Sequence, residues 1–428
     1  MHIAPAHALS PSPFRKTLLI ASLSLLTILV ACGDSEDEEG SDLGAVPTIQ
    51  IDEPIDSSEP EDPDPTVTPQ QEPTSVPEAT AVEPSEESTE PEPTPQPEPT
   101  PTSEPEPTAE PEPKPEPLDL PDAAFLGGMT HMYQTMNNCS AASVCMLLSH
   151  YDIVLDQEQL RSVMRPNDAA KHGKYVYIID YLREQGFRAD LKHGGDIETI
   201  KAFVANDIPV VVQQWLELDS DPIGHYSVVR GYDDNEQVFR LNDSMHGEDF
   251  RVSYDVFVQK WRAFSYRFIP VYPESAQGNV DRILGEEVDQ TINRQRTLEQ
   301  IQAELQGRPE DPELIYSLGT NLHDLGRYGE AIEAYERAAA IGLPPKMLWY
   351  VYWPAEAYNE IGQHDRAIQV ADQQIASAQT FGDMRYERAR AIEALGRIDE
   401  AIAEYRQALV DDPKLQRAED ALVRLGAQ

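Results

Sequence analysis

Tyr133-Gln134-Thr135-Met136-Asn137-Asn138-Cys139-Ser140-Ala141-Ala142-Ser143-Val144-Cys145-Met146-Leu147-Leu148-Ser149-His150-Tyr151 is the stretch on which the fold turns. It reads as a polar turn running straight into a helix. Asn137 and Asn138 are good N-cap residues, because a short side-chain oxygen can accept from the open N–H groups of a first turn. Val144, Met146, Leu147, Leu148 and Tyr151 recur at mixed three- and four-residue spacings, the pattern of a largely buried helix. Cys139 falls in the first turn, where the positive end of the helix dipole favours thiolate over thiol. A small buried cysteine is the plainer reading of a lone helical thiol, so the decision rests on what the rest of the chain brings to it.

Downstream, Asp156 is placed to cap a helix through Met164, Tyr175 to Gln185 forms another closed by Gly186, and Asp196 begins a third to Asn206. Ile208 to Val212 is a continuous apolar run of the kind found in a buried strand. Tyr226–Tyr232 and Gln237–Leu241 alternate, and Asp233-Asp234-Asn235-Glu236 between them is a turn, so the pair forms a hairpin. A helix over Tyr254–Trp261 and a strand over Phe264–Val271 close an α+β order. If the turn centres near Asp234–Asn235, facing residues sum to about 469, within one or two positions. That register sets His225 against Asn242, Asp243 or Ser244. A carboxylate or amide there would hold one imidazole nitrogen and leave the other for a thiol. Gln134, upstream of Cys139, offers an amide N–H2 that could join the Cys139 N–H in an oxyanion hole. His131, His150, His172, His193 and His246 have no comparable partner and read as surface residues. Cys145 reads as core.

Gln134-x4-Cys139 opening an apolar helix, then Gly224-His225-Tyr226-Ser227-Val228-Val229-Arg230-Gly231-Tyr232-Asp233, then Leu241-Asn242-Asp243, resembles the papain-like peptidases related to the bacteriocin leader-processing (double-glycine) peptidases. The resemblance is nearest to their stand-alone peptidase-like branch and covers roughly 129–271. It implies a cysteine peptidase with Cys139 as nucleophile, His225 as base, Asp243 as its orienting partner and Gln134 as oxyanion donor. Asn242 is a second candidate for the orienting role. One departure stands out: the family commonly has Gly-Pro after the cysteine, where this chain has Ser140-Ala141.

The N-terminus carries Arg15-Lys16, an apolar run from Leu18 to Val30, and Leu29-Val30-Ala31-Cys32. A basic flank, a short apolar run and small residues before a break mark an export signal. Leu-Val-Ala-Cys also resembles the lipobox of bacterial lipoproteins, which implies acylation of Cys32 and display on the outer face of the cell membrane. The formal charge of −43 is concentrated: 27 acidic residues against one lysine lie between Asp34 and Leu120. That proline-, glutamate- and threonine-rich stretch cannot bury enough apolar surface to order itself. Extended at ~3.1 Å per residue, it makes a stalk on the order of 200 Å long. No basic patch points to nucleic acid, three cysteines make no disulfide framework, and no metal-ligand spacing or cofactor motif appears.

The C-terminal third repeats itself. Leu325-Gly326-Arg327-Tyr328 with Ala331-Ile332 returns as Ile361-Gly362-Gln363-His364 with Ala367-Ile368 and as Leu395-Gly396-Arg397-Ile398 with Ala401-Ile402, at offsets of 36 and 34. The period, Tyr335 and Tyr405, and the Asp-Pro pairs at 311–312 and 412–413 resemble tetratricopeptide repeats, which implies an all-α array that binds a protein. The aromatic cluster Trp349, Tyr350, Tyr352 and Trp353 reads as groove or core. The expected organisation is a signal segment over 1–32, a stalk over 33–120, a papain-like domain over 121–273, a linking helix within 274–310 and repeats over 311–428. The expected function is a lipid-anchored surface cysteine peptidase without cofactor, acting on a peptide or protein substrate. A catalytically silent papain-like module serving with the repeats as an adaptor is the alternative. Acyl transfer to an amine is a further one, because transglutaminases use the same Cys, His, Asp order.

Overall fold

The structure is a computed structural model and describes residues 119–427 apart from 166, 171–172 and 219–220. The expected signal segment with Cys32, all but the last two residues of the expected stalk, and His172 lie outside the described residues.

The cysteine helix is α1 (Cys139–Ser149), and Ser140 through Ser149 are all buried in it. Asp156 caps α2 (Gln157–Met164) by accepting from Glu158 N. α3 (Tyr175–Glu184) ends at Gly186, which takes φ +89°. Asp196 caps α4 (Ile197–Ala205) by accepting from Thr199 N. The expected first strand lies a little later than its apolar run, as β3 (Val210–Trp215), after the short strands β1 (Ala123–Phe125) and β2 (Arg188–Ala189). The hairpin is β4 (Gly224–Asp233) and β5 (Val238–Asp243). Its turn is held by Asp233, whose Oδ1 accepts from Asn235 N at 2.9 Å. β6 (Gly247–Ser253), α5 (Tyr254–Trp261) and β7 (Phe268–Tyr272) complete the domain.

The sheet runs β2-β7-β3-β4-β5-β6, with β1 pairing β4 beyond the end of β3. Every paired neighbour is antiparallel. α1 is tied to β4 where Ser143 Oγ donates to Tyr226 O at 3.0 Å. Val144, Leu147, Leu148, Phe203, Val210, Val228, Leu241, Phe257 and Trp261 form one core with the sheet. At about 1.5–3 kcal/mol for each large apolar side chain removed from water, this core is what fixes α1 on β4.

The linking helix is two helices, α6 (Gln277–Leu284) and α7 (Gln290–Gly307), broken where Gly285 takes φ +55°. The repeats form pairs: α8 (Pro312–Asp324) with α9 (Tyr328–Ile341), α10 (Trp353–Glu360) with α11 (His364–Ala378), and α12 (Gly382–Ala394) with α13 (Ile398–Asp411). α14 (Gln416–Arg424) closes the array. Asp311 accepts from Leu314 N and so starts α8 with Pro312 at its first position. Gly326, Gly362 and Gly396 turn the pairs at φ +74°, +75° and +77°, a left-handed backbone that favours glycine. Ala331, Ala367 and Ala401 are fully buried, which lets the paired helices close on each other.

The array packs against the papain-like domain through the first helix of each pair and the end of α13. Trp215 Nε1 donates to Glu313 Oε1 at 2.8 Å, and Ser317 Oγ donates to Arg262 O at 3.0 Å. Tyr177 OH donates to Asp412, and Lys414 Nζ donates to Val163 O at 2.9 Å. Trp215 and Phe264 share a second core with Ile315, Tyr350, Val351 and Trp353. The aromatic cluster of the middle repeat is therefore in part core, set against the other domain.

Candidate active site

Cys139 is the first residue of α1, with Asn138 at the N-cap. The expected side-chain cap is absent. Asn138 instead turns its amide to Gln157 O at 3.2 Å and Gln157 Oε1 at 3.1 Å, and Asn137 occupies the turn at φ 55°. The first turn of α1 thus meets no capping side-chain oxygen, and the Ser140 N–H is directed at the Cys139 sulfur.

The hairpin register lies within the expected range, one to two positions from its centre. Val228 faces Asn242 and Val229 faces Leu241, and a bulge between Val229 and Gly231 shifts the remainder by one. Continued past Asn242, this register sets Asp243 opposite Ser227, two residues from His225 and on its face of the sheet. A diagonal neighbour is within reach of a long side chain. His225 Nε2 lies 3.0 Å from Asp243 Oδ2. Asn242 points to the other face, where its Oδ1 accepts from Arg230 Nη1 at 2.8 Å, so it does not meet His225. Of the two candidates, Asp243 is the one whose side chain lies beside His225.

Asp243 is itself fixed from several sides. Its Oδ1 accepts from Met245 N at 2.8 Å and His246 N at 2.9 Å, and His246 Nδ1 lies 3.1 Å away. His131 Nε2 donates to the Asp243 carbonyl at 2.9 Å. Burial opposes the charge on Asp243, but the hydrogen bonds from His225 and His246 outweigh it and hold the carboxyl well below its usual range. Burial likewise disfavours a charged His225, yet Asp243 and Cys139 raise the ring well above its ordinary value. For Cys139, burial works against the thiolate. A hydrogen bond and charge from His225, with backbone groups of Tyr226 and Ser140, reverse this and lower the thiol. The shifts are mutually consistent, with the two acids lowered and the imidazole raised, as in a thiolate–imidazolium pair backed by a carboxylate. Cys145 is the contrast: it is 1 % exposed, and burial pushes it up to about 12.

Gln134 is joined to the strand end that carries Asp243. Its Oε1 accepts from Ser244 Oγ at 2.8 Å and its backbone N–H donates to Ser244 O at 3.0 Å. With the amide oxygen so engaged, the N–H2 is the half left for a ligand. Ser140 is fully buried and its Oγ has no partner among the described residues.

Of the histidines read as surface residues without a partner, one is buried and three half-buried ones have partners, His150 meeting Gly127 O and Asp207. His193 is 1 % exposed, and His131 and His246 both touch Asp243. His246 also lies 2.7 Å from Glu217 Oε1 and stacks on Phe250 with ring centroids 4.2 Å apart. The sequence signal for His246 was its place three residues after Asp243, the span of a tight turn. Glu217 left no signal. Among the described residues no group of His, Cys, Asp and Glu is arranged to hold a metal ion, and no helix is long and apolar enough to cross a membrane.

Residues 128–269 match the Peptidase_C39 like family, and residues 312–341 and 355–415 match tetratricopeptide repeat models. Among curated proteins the chain is 38 % identical over 86 residues to the small glutamine-rich tetratricopeptide repeat-containing protein 2 of Mycosarcoma maydis. The match takes in 20 % of this chain and 24 % of that protein, so it spans about a quarter of the relative's length. Among solved structures, the peptidase domain of Streptococcus ComA, a bi-functional ABC transporter involved in a quorum-sensing pathway, is similar at 19 % identity. It covers 34 % of this chain and 99 % of its own, with a TM-score of 0.28. MamA (41-end) from Desulfovibrio magneticus RS-1 is similar at 20 % identity over 31 % of this chain and 74 % of its own, with a TM-score of 0.29. The chain thus carries a C39-peptidase-like domain followed by tetratricopeptide repeats, modules of the peptidase and protein-interaction kinds.

Proposed function

We propose that this chain is a cysteine peptidase that hydrolyses peptide bonds through Cys139, His225 and Asp243. The observation that carries the reading is Asp243 on Nε2 of His225, which leaves Nδ1 as the nitrogen available to a thiol at the open end of α1. The Cys139 thiolate attacks the scissile carbonyl and forms a tetrahedral oxyanion. The Gln134 N–H2 and the Cys139 N–H receive the negative charge. His225, protonated in the resting pair, passes its proton to the leaving amine, and an acyl-enzyme remains. Water then attacks the thioester with His225 as base, releasing the acid and restoring the ion pair. Asp243 stays ionised throughout and holds the ring in orientation.

Export and lipid attachment at Cys32 remain part of the proposal, supported by the Leu29-Val30-Ala31-Cys32 resemblance alone. The repeats bind protein, and the first of their helices, α8, already holds part of the chain's own papain-like domain.

Turnover of a pool of unfolded peptides tests the reading. Cys139→Ala and His225→Ala should each cut the rate by roughly 10³-fold or more relative to the unsubstituted chain. Equal turnover in all three contradicts it. If no form cleaves any peptide and partner binding survives Cys139→Ala, the adaptor reading replaces it.

A further inference from the structure

A cavity of ≈ 260 Å³ lies between the papain-like domain and the repeats. Its walls include the start of α3, Gln213 and Tyr226 of the sheet, Arg267, and Tyr350 and Trp353 from the repeats. The cavity adjoins the proposed catalytic site. Tyr226 follows His225, and Tyr226 and Tyr350 both feel the charge of the Cys139 thiolate, which helps to raise them behind the larger effect of burial. Gly173 sits so close to Ser140, the residue after Cys139, that a Cβ on it would strike the Ser140 hydroxyl.

Two of the cations facing this space are balanced. Lys174 pairs with Asp383 and Asp412, and Arg417 Nη2 lies 2.6 Å from Asp383. Arg267 is not. It is 4 % exposed, its Nε has no hydrogen-bond partner, and no carboxylate among the described residues pairs with it. Three rings flank the guanidinium, Phe264 at 5.2 Å, Tyr175 at 5.6 Å and Trp353 at 5.8 Å, and the carboxylate whose charge reaches it, Asp324, is already paired with Arg294. A buried charge is ordinarily paired, because leaving it without a partner is strongly unfavourable. Two further features favour an anion with a hydrogen-bond donor attached. Gln213 is 4 % exposed with its amide oxygen unpartnered. The N-terminus of α3, where Tyr175 and Val176 line the cavity, has no side-chain cap.

We propose that this cavity is a subsite for the carboxylate of a peptide, received by Arg267 between the aromatic walls, with Gln213 accepting from a peptide N–H. The proposal deepens the peptidase reading by naming a substrate class, peptides bearing a carboxylate near the cleaved bond. The cavity is smaller than the usual ligand pocket of about 300–1,000 Å³, so it admits a chain end or one side chain rather than a folded segment. The carboxylate can come from a free C-terminus or from an Asp or Glu side chain.

The test is equilibrium binding to the Cys139→Ala chain, so it does not depend on turnover. The probes are octapeptide mixtures of uncharged residues, made as C-terminal acids and as C-terminal amides, with a second amide set carrying one Glu or one Gln. At least one acid form should bind about tenfold or more tighter than its neutral counterpart. That advantage should fall to about one in Arg267→Met and persist in part in Arg267→Lys. The acid/amide pair and the Glu/Gln pair tell the two sources apart. Should Arg267→Met not fold, competition by acetate against acetamide on the Cys139→Ala chain alone gives the readout, with acetate expected to displace the bound acid peptide. Equal binding of acids and neutral forms, an advantage that survives Arg267→Met, or equal effects of acetate and acetamide would overturn the proposal. A chain that shows the Arg267-dependent preference but cleaves nothing keeps this site and loses the peptidase reading. The converse result does the reverse.

Discussion

At the scale of single residues, the site depends on which of two neighbours meets His225. Asn242 and Asp243 were both open from sequence because adjacent strand positions point to opposite faces, and a shift of one residue exchanges them. The bulge between Val229 and Gly231 decides the matter, and no residue pattern announces it. Cys139, His225 and Gln134 were legible because each stands in a local motif of its own. His246 and Glu217 were not, since the contacts of His246 with Asp243 and with Glu217 exist only once the loop after β5 has closed. Asp243 also gives a pH prediction. The working pair needs a deprotonated thiol and a protonated imidazole, so turnover should rise through the lowered Cys139 value and fall again as His225 loses its proton near pH 10. Asp243→Asn removes the negative charge that favours the imidazolium and must lower the His225 value. The alkaline limb of the kcat/KM profile should therefore move down by about one pH unit or more, each unit being ~1.36 kcal/mol of lost preference. An alkaline limb unmoved by this substitution would show that Asp243 does not govern the ring.

At the scale of elements, the helices were readable from their caps. Asp156 and Asp196 each start a helix where the sequence set them, while α1, whose Asn138 makes no side-chain cap, was readable from its apolar spacing. β6 escaped because Gly247-Glu248-Asp249-Phe250-Arg251 carries the charges of an edge strand rather than an apolar alternation. The linking helix was read as one because Gly285 is a single residue, although its positive φ is enough to break it. The start of β4 holds a prediction. Gly224 N donates to Tyr350 OH at 2.9 Å, so a repeat residue pins the strand end that carries His225. Gly224 leaves room for that ring, because a Cβ there would meet Tyr350 and Phe264 at about 3 Å. Tyr350→Phe keeps the ring and deletes the acceptor, stranding a buried N–H at a cost of about 1–3 kcal/mol. The unfolding midpoint in urea should fall accordingly and turnover with it. A stability equal to that of the unsubstituted chain would mean that the hydroxyl contributes nothing to holding β4.

At the scale of the whole molecule, the order of modules was visible in composition and period, and the way they pack was not. The contacts that bring the repeats onto the papain-like domain are single residues far apart in sequence: Trp215 with Glu313, Tyr177 with Asp412, Asn167 with Asp411. Each taken alone reads as a cap, a loop residue or a solvated charge. Their sum places aromatic residues of the middle repeat beside the strand that bears His225 and walls off the cavity that contains Arg267. The repeats therefore help to shape the ground on which a peptide would lie as well as offering a surface to a partner.

The central claim is that Cys139 is an activated thiolate, and the rate of its alkylation as a function of pH tests this most directly. The intact chain would be treated with iodoacetamide and the labelled peptides of Cys139 and Cys145 quantified by mass spectrometry. The account predicts that the inflection of Cys139 labelling lies below the ~8.5 of a free cysteine, as the lowered thiol requires, while Cys145 stays unlabelled. Labelling of Cys139 that rises only above pH 8.5, or that is no faster than labelling of Cys145, would contradict it.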